Sequence, residues 1–324
     1  MVKAIRVHAY GGPEQLKLEE ITLQPPGKGE LRVRHKAIGL NFIDIYFRTG
    51  AYQAAALPFT PGNEAAGIVE AVGEGVTGFR KGDRVAYVAS PGSYGEERNV
   101  SAHFVVKLPR DIDFETAAGM MLKGMTAEYL LFRSYRVKKG DTILVQAAAG
   151  GVGLILCQWA RALGATVIGT VGSADKAKLA KKHGCHHTIL YREENFAEKV
   201  KEITKGRMCE VVYDGVGNAT FPGSLDCLKP LGTFVSFGSA SGPIAAFDIG
   251  LLAKKGSLVA TRPTLFTYLA DRKRLEVMAR RLFSAVRSGA VTIPVTARYP
   301  LAKAADAHIA LEGRATTGSI VFLP

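Results

Sequence analysis

Two short stretches hold residue types whose spacing could do chemistry. In VQAAAGGVGL, Val145 to Leu154, an apolar run enters a turn of small residues and leaves as a helix. Such a turn lets backbone N–H groups close on a pyrophosphate, whose charge also suits a helix N-terminus. Ala149, Gly150, Gly151, Val152 and Gly153 form the cradle, with Gly150 allowing close approach and Gly153 tight helix–sheet packing. Ala148 replaces the first glycine of the usual GxGxxG pattern. The second stretch, PGNEAAG, Pro61 to Gly67, puts the carboxylate of Glu64 among small residues just before an apolar, strand-like segment. Three readings are open for Glu64: a metal ligand, a structural anchor, or a turn residue.

The dinucleotide is read from the second strand of the fold. An acid about twenty residues after the turn would hold ribose hydroxyls and repel a 2′-phosphate. Gly172 and Ser173 stand there instead, with Lys176 just inside the following helix. This favours NADP(H), to which Tyr191 could add a hydroxyl and Arg192 a second cation. Lys176 as an ordinary solvated lysine is the competing reading, and Asp175 fits the first helical turn through the dipole.

Other candidates carry less. Cys185-His186-His187 enters a strand, where neighbours point to opposite faces and cannot readily share an ion. GSASG, Gly238 to Gly242, has Ala240 where a nucleophile elbow needs serine. His8, His35 and His103 are isolated.

The elements that must position these residues fall into two regions. The first third has short β-like runs (KAIRVHAY, ELRVRHKAIGL, GIVEAVG, DRVAYV) broken by glycine and proline, as in a compact, largely antiparallel or barrel-like unit. From about Met125, six apolar strands alternate with amphipathic helices, the pattern of a doubly wound parallel sheet. The tail holds a basic helix from about Tyr268 to Ser288, a short helix near Ala302 to Leu311 and a terminal strand, GSIVFLP. It is expected to rejoin the first region.

At 324 residues and 47 % apolar content, two domains with real cores are expected. No signal-peptide pattern or long apolar span is evident, and four separated cysteines form no CxxC pair, so a reducing cytoplasm is expected. The two Asn-x-Ser/Thr matches, at Asn99 and Asn218, carry no weight in that setting. A net charge of +13 keeps nucleic acid open as a partner. The basic residues lie in short clusters without interleaved aromatics, which favours solvated helix faces.

GLNFIDIYFRTGAY, PGNEAAGIVEAVGEGV, FRKGDRVAY, AAAGGVGL, VVYDGVG and GRATTGSIVFLP together give a resemblance that covers essentially the whole chain. The chain resembles the medium-chain dehydrogenase/reductase superfamily, and within it the zinc-independent NADPH:quinone oxidoreductases that include the zeta-crystallins. The resemblance implies a Rossmann NADP(H)-binding domain over 125–263. It also implies a GroES-like β-barrel catalytic domain from 1–124 and 264–324. Zinc-dependent relatives use a cysteine in Cys-x-x-Asp and a histidine in Gly-His-Glu. This chain has Asn41 and Asn63 at those positions, and amides replace thiolate and imidazole poorly on zinc. No metal is expected, and Glu64 becomes a structural carboxylate that anchors loops or a nearby cation.

The resemblance further places Asn41 and Tyr46 beside the nicotinamide and substrate, with Tyr52 as a weaker pocket candidate. Asn41 would hold the carboxamide or an acceptor oxygen, and Tyr46 would donate a hydrogen bond; a turn asparagine and a packing tyrosine are the alternatives. Thr126, Tyr129, Gly215, Phe237, Gly238, Ser239, Pro263, Thr264, Leu265 and Arg314 are expected near the cofactor. A homodimer through the edge of the cofactor sheet is also implied. The expected activity is metal-free hydride transfer from NADPH to small quinones. Enone or alkenal reduction, and an NADPH-binding, RNA-interacting role, are the alternatives.

Overall fold

The structure is a computed structural model and describes residues 1–313 and 316–324. The chain divides into two compact units. One holds Met1–Lys123, Leu269–Phe283 and Ile293–Pro324; the other holds Gly124–Tyr268 and Ser284–Thr292.

The first unit begins with a two-stranded antiparallel pair, β1 (Val2–Arg6) and β2 (Lys17–Ile21). Its main sheet is centred on β3 (Glu30–Leu40), β4 (Glu64–Val72), β5 (Arg84–Val88), β6 (Glu97–Ser101) and β7 (Val105–Lys107). Early in β3, buried Leu31, Val33 and His35 alternate with more exposed neighbours; from Ala37 to Leu40 every residue is buried. A strand reads as alternating where one face meets solvent and as continuously apolar where both faces are covered. Helix α1 (Phe42–Thr49) follows β3 directly, and α2 (Phe114–Tyr129) follows β7.

In the second unit, β8 (Thr142–Val145), β9 (Thr166–Val171), β10 (His187–Leu190), β11 (Cys209–Asp214), β12 (Leu228–Ser236) and β13 (Val259–Thr261) form one sheet. The spatial order is β10-β9-β8-β11-β12-β13, and every pairing is parallel. This is the doubly wound order, with its reversal between β8 and β11. The intervening helices are α3 (Gly151–Ala162), α4 (Ala174–Lys182), α5 (Phe196–Ile203), α6 (Phe221–Asp226) and α7 (Gly250–Lys254). Leu144, Ile168, Ile189, Val212 and Phe234 from five of the strands lie in one core with Val200, Phe221 and Leu225.

The expected continuous helix from Tyr268 to Ser288 is two helices, α8 (Leu265–Leu269) and α9 (Arg272–Arg287). The break has a local cause. Asp271 Oδ1 accepts the N–H groups of Lys273 and Arg274 at 2.9 and 3.4 Å, which starts a new helix. After β14 (Val295–Pro300) and α10 (Ala304–Glu312), β15 (Ser319–Leu323) runs parallel to β14 and antiparallel to β3. The C-terminal strand is therefore part of the first unit's sheet.

Candidate functional site

In the second unit, the chain leaves β8 through Gln146 and turns into α3. Ala147, not the residue in the first-glycine position, carries the left-handed backbone, with φ 55°. A non-glycine residue there costs about 1 kcal/mol or more and persists only when its surroundings hold it. The hold is a buried relay. Ala147 N–H donates to Thr170 Oγ1 at 3.3 Å, and the Thr170 hydroxyl donates to Gln146 Oε1 at 2.6 Å. Gln146 Nε2 donates to Ser224 Oγ at 3.0 Å, and that hydroxyl donates to Asp214 Oδ2 at 2.8 Å. Asp214 Oδ1 accepts from the N–H groups of Val216 and Gly217, at 2.8 and 3.1 Å. One relay thus ties the turn after β8 to the turn after β11.

Gly153 answers a close approach. A Cβ there would lie 2.5 Å from Ala147 O and 2.7 Å from Ala148 O. Gly150 is the extended N-cap of the twelve-residue α3, which has no side-chain cap and no acid in its first turn. The leading N–H groups and the helix dipole are arranged for an anion. A dinucleotide pyrophosphate fits this cradle.

The predicted 2′-phosphate residues gather at the carboxyl ends of β9 and β10. Tyr191 N–H donates to Val171 O at 3.2 Å, and a Cβ on Gly172 would meet the Tyr191 hydroxyl at 3.0 Å. Ser173 caps α4 by accepting from Lys176 N–H at 3.4 Å. Asp175 pairs with Lys178 at 3.5 Å, with its side chain 93 % exposed. No acid ends β9, so the residues present fit a 2′-phosphate. Gly215, Phe237 and Gly238 also come together: a Cβ on Gly215 would meet the Phe237 ring at 2.9 Å, and one on Gly238 would meet Gly215 O at 2.5 Å. Ser239 follows them, and Pro263, Thr264 and Leu265 follow β13, so both groups lie at strand carboxyl ends. Thr126 and Tyr129 lie on α2; the Tyr129 ring stacks on Tyr268 with centroids 4.7 Å apart. Arg314 lies outside the described residues.

In the first unit, Asn41 is the N-cap of α1, and Asp44 Oδ2 accepts its backbone N–H at 2.8 Å. The Asn41 amide Nδ2 donates to Glu64 Oε1 at 2.6 Å. Lys123 Nζ donates to that same oxygen at 3.2 Å and to Leu40 O at 3.1 Å, while Leu122 N–H donates to Glu64 Oε2 at 2.6 Å. Asn41, Glu64 and Lys123 are all buried. Gly39, paired with Glu64 across β3 and β4, is required by this packing: a Cβ would lie 2.3 Å from both Ala118 O and Glu64 Oε1. Sequence reasoning anticipated a cation for Glu64 but missed Lys123. The available signal was a lone lysine in the apolar run MMLKGM.

Asp44 belongs to a further buried chain. The Tyr94 hydroxyl donates to Asp44 Oδ2 at 3.0 Å and lies 3.1 Å from His308 Nε2. Arg48 Nη1 faces His308 Nδ1 at 3.2 Å and Arg48 pairs with Glu312. Arg48 has only protons to give, so Nδ1 is the acceptor and Nε2 carries the imidazole proton. Burial, and then the Arg48 charge, push His308 down to about 3. Burial pushes Asp44 up to about 7, against the opposing hydrogen bonds from Asn41 and Tyr94. Tyr46 and Tyr52 sit together, with ring centroids 5.2 Å apart and the Tyr52 N–H donating to Tyr46 O at 2.9 Å.

Asn63 donates through Nδ2 to Ala89 O at 2.9 Å, within the protein. The amides at both positions where zinc relatives carry thiolate and imidazole are therefore already committed, and this donor set does not fit zinc. Cys185, His186 and His187 part company: Cys185 faces Cys157 with sulfurs 3.4 Å apart, His186 Nδ1 accepts from Val167 N–H at 3.0 Å, and His187 is exposed. Among the described residues, no group of three or more His, Cys, Asp and Glu side chains could hold a metal ion.

Comparison with known proteins agrees with this geometry. Residues 27–142 match the alcohol dehydrogenase GroES-like domain family, and residues 151–274 match the family described as zinc-binding dehydrogenase. The chain is 52 % identical to a quinone oxidoreductase of Pseudomonas aeruginosa, over 100 % of both chains. It is 46 % identical to a 2-haloacrylate reductase of Burkholderia, over 100 % of this chain and 99 % of the relative. The crystal structure of Escherichia coli quinone oxidoreductase complexed with NADPH superposes with a TM-score of 0.98 at 47 % identity, covering 99 % of this chain and 100 % of that one. The chain belongs to the zinc-independent quinone oxidoreductase family of the medium-chain dehydrogenase/reductase superfamily.

Proposed function

We propose that this protein is an NADPH-dependent quinone reductase that works without a metal. The observation that carries this reading is the commitment of Asn41 and Asn63 to Glu64 and Ala89. Without a Lewis acid, alcohol oxidation on this scaffold lacks its means of stabilising an alkoxide. A quinone is already electron-poor and needs orientation and hydrogen bonds as charge develops on its oxygen. The bound nicotinamide supplies the hydride. The N–H groups leading α3, from Gly151 to Gly153, hold the pyrophosphate. Lys176, Ser173 and Tyr191 hold the 2′-phosphate, and Gly172 leaves room for it. Gly215, Phe237–Ser239, Pro263–Leu265, Thr126 and Tyr129 line the rest of the cofactor. Tyr46 donates to the acceptor oxygen, Tyr52 packs beside it, and Asn41 orients the reacting groups.

The reading extends to a cytoplasmic homodimer. All four cysteines are free and buried, as a reducing compartment permits. β13 is an edge strand with Val259 54 % exposed, and Leu231, Phe247 and Ile249 are exposed apolar side chains of the same unit. Pairing with a second copy along β13 would cover that edge. Among the described residues, no helix is long and apolar enough to cross a membrane. The activity is tested by following NADPH oxidation with 1,4-benzoquinone and with a simple enone. A quinone preference is expected; a large enone preference would replace this reading with carbon–carbon double-bond reduction.

A further inference from the structure

Two buried cysteines of the second unit face each other, and hydride transfer uses neither. The Cys157 and Cys185 sulfurs lie 3.4 Å apart, one on α3 and the other in the turn that leads α4 into β10. The backbones that carry them also touch. Gly184, with φ 106°, lies flat against α3: a Cβ there would stand 2.6 Å from Cys157 O and 2.8 Å from Gln158 N. A disulfide needs both conditions, adjacent backbones and sulfurs able to close to about 2.0 Å. Cys209 and Cys227 are the contrast. Cys209 N–H donates to Cys227 O at 2.9 Å, but the Cys227 thiol is turned to Gly223 O at 3.3 Å.

Position sets the order in which the two sulfurs react. Cys157 is wholly enclosed, whereas Cys185 is 3 % exposed and is followed directly by exposed His186. A small oxidant that enters at this turn meets Cys185 first. The Cys185 sulfur beside it, and then burial, push the Cys157 thiol up, so Cys157 keeps its proton until its neighbour has reacted. Burial slows a thiol's first oxidation; a second thiol already in contact traps the product.

The pair also lies beneath the pyrophosphate turn. A Cβ on Gly169, in β9, would meet Ala148 Cβ at 2.5 Å and Cys185 Sγ at 2.7 Å, so turn, strand and sulfur meet at one point. Gly153 leaves no slack above it, since a Cβ there would collide with Ala147 O and Ala148 O. Closing the sulfurs from 3.4 Å to about 2.0 Å draws α3 and the lead into β10 together by about 1.4 Å. A shift of that size in a rigid site is felt by its ligand.

We infer that Cys157 and Cys185 form a reversible oxidation site, whose disulfide, made by a hydroperoxide, displaces the pyrophosphate turn and weakens NADPH binding. In the first step the Cys185 sulfur attacks the peroxide O–O bond. Cys185 is oxidised to a sulfenic acid, and the peroxide is reduced and leaves as water or an alcohol. In the second, the Cys157 sulfur attacks the sulfenic sulfur, the S–O bond breaks, and the hydroxyl leaves as water with the Cys157 proton. An external dithiol restores both thiols by exchange. The disulfide rests on this geometry alone; its effect on the cofactor rests on the proposed function.

The test treats reduced wild-type protein with hydrogen peroxide, blocks remaining thiols with N-ethylmaleimide in denaturant, and maps the digest by mass spectrometry. The Cys157 and Cys185 peptides should appear joined and separable by dithiothreitol, with Cys209 and Cys227 carrying the blocking group. By fluorescence titration the oxidised protein should bind NADPH about tenfold more weakly, and dithiothreitol should restore the affinity. Cys185→Ala, folded by circular dichroism, should bind NADPH as reduced wild type does and keep that affinity after peroxide. Cys157 and Cys185 both blocked after peroxide, Cys185 overoxidised without a link, or a linked pair with unchanged NADPH affinity would each overturn the inference. Equal loss of affinity in Cys185→Ala would overturn it too, since the damage would then lie elsewhere. Failure of the reduced wild type to bind NADPH would instead contradict the proposed function, while the joined peptides would still report the disulfide.

Discussion

Replacing Lys123 by methionine removes one ammonium group and keeps most of the side-chain stem, so the change isolates charge from volume. The ammonium lies 3.2 Å from Glu64 Oε1, with the lysine side chain 7 % exposed and the glutamate side chain 0 % exposed. Removing one partner of a buried pair costs about 3–5 kcal/mol, mostly because the remaining charge stays desolvated. Glu64 would keep two donors, Asn41 Nδ2 and Leu122 N–H, each at 2.6 Å. The expected loss is therefore at the lower end, about 3 kcal/mol. Two compact units need not unfold together, so the comparison is between transition midpoints under identical conditions. With a urea dependence of about 2 kcal/mol per molar, the midpoint of the first unit's transition should fall by about 1.5 M. The double replacement with Glu64→Met should recover most of that fall. A shift below about 0.3 M for Lys123→Met would refute the reasoning, since it would mean that the lysine does not compensate the carboxylate.

Three further outcomes follow from separate parts of the molecule. Gly153→Val would drive a side chain against Ala147 O, 2.5 Å from the ideal Cβ, and force α3 away from its turn; an NADPH dissociation constant raised at least about tenfold is expected by fluorescence titration, and an unchanged one would remove the cradle from the account. Lys176→Ala should weaken NADPH about tenfold while leaving NADH nearly unaffected, the loss of roughly one charge-assisted contact; equal weakening of both cofactors would dismiss the 2′-phosphate assignment. Asp44→Asn tests the buried carboxyl pushed up to about 7. Its folded form binds the proton more tightly than an unfolded aspartate, near 4, so wild-type stability from this group is lost as pH rises from about 4 to about 7. His35 and His308, pushed down to about 4 and about 3, act in the opposite sense but are present in both proteins. The variant's urea midpoint should therefore gain on the wild type between pH 5 and pH 8; a constant difference would exclude ionisation of Asp44 in that window.

The parts legible in the sequence were those with a period or a fixed spacing. Six apolar strands alternating with helices specified the sheet, because strands covered on both faces read as unbroken apolar runs. The small-residue turn specified the cradle, since Gly153 stands where even a methyl group would collide with backbone oxygen. Asn41 and Asn63 were informative for what they are not. What escaped were groups assembled from distant segments. Thr170, Gln146, Ser224 and Asp214 come from three strand ends and one helix, and no local pattern announces that they form one relay holding Ala147. Lys123 sits 59 residues from Glu64, and its meaning depends on burial that the sequence only hinted at through its apolar neighbours. The break between α8 and α9 was signalled by Asp271, a helix-starting residue type hidden by the basic run that follows it.

The central claim is metal-free hydride transfer from NADPH to a quinone. It is tested most directly by the stopped-flow rate of NADPH oxidation by 1,4-benzoquinone, before and after exhaustive chelation, with NADH and a simple enone as parallel substrates. The account predicts a chelator-insensitive rate that is fastest with NADPH and quinone. A rate abolished by chelation and restored by zinc, or a large preference for the enone, would contradict it.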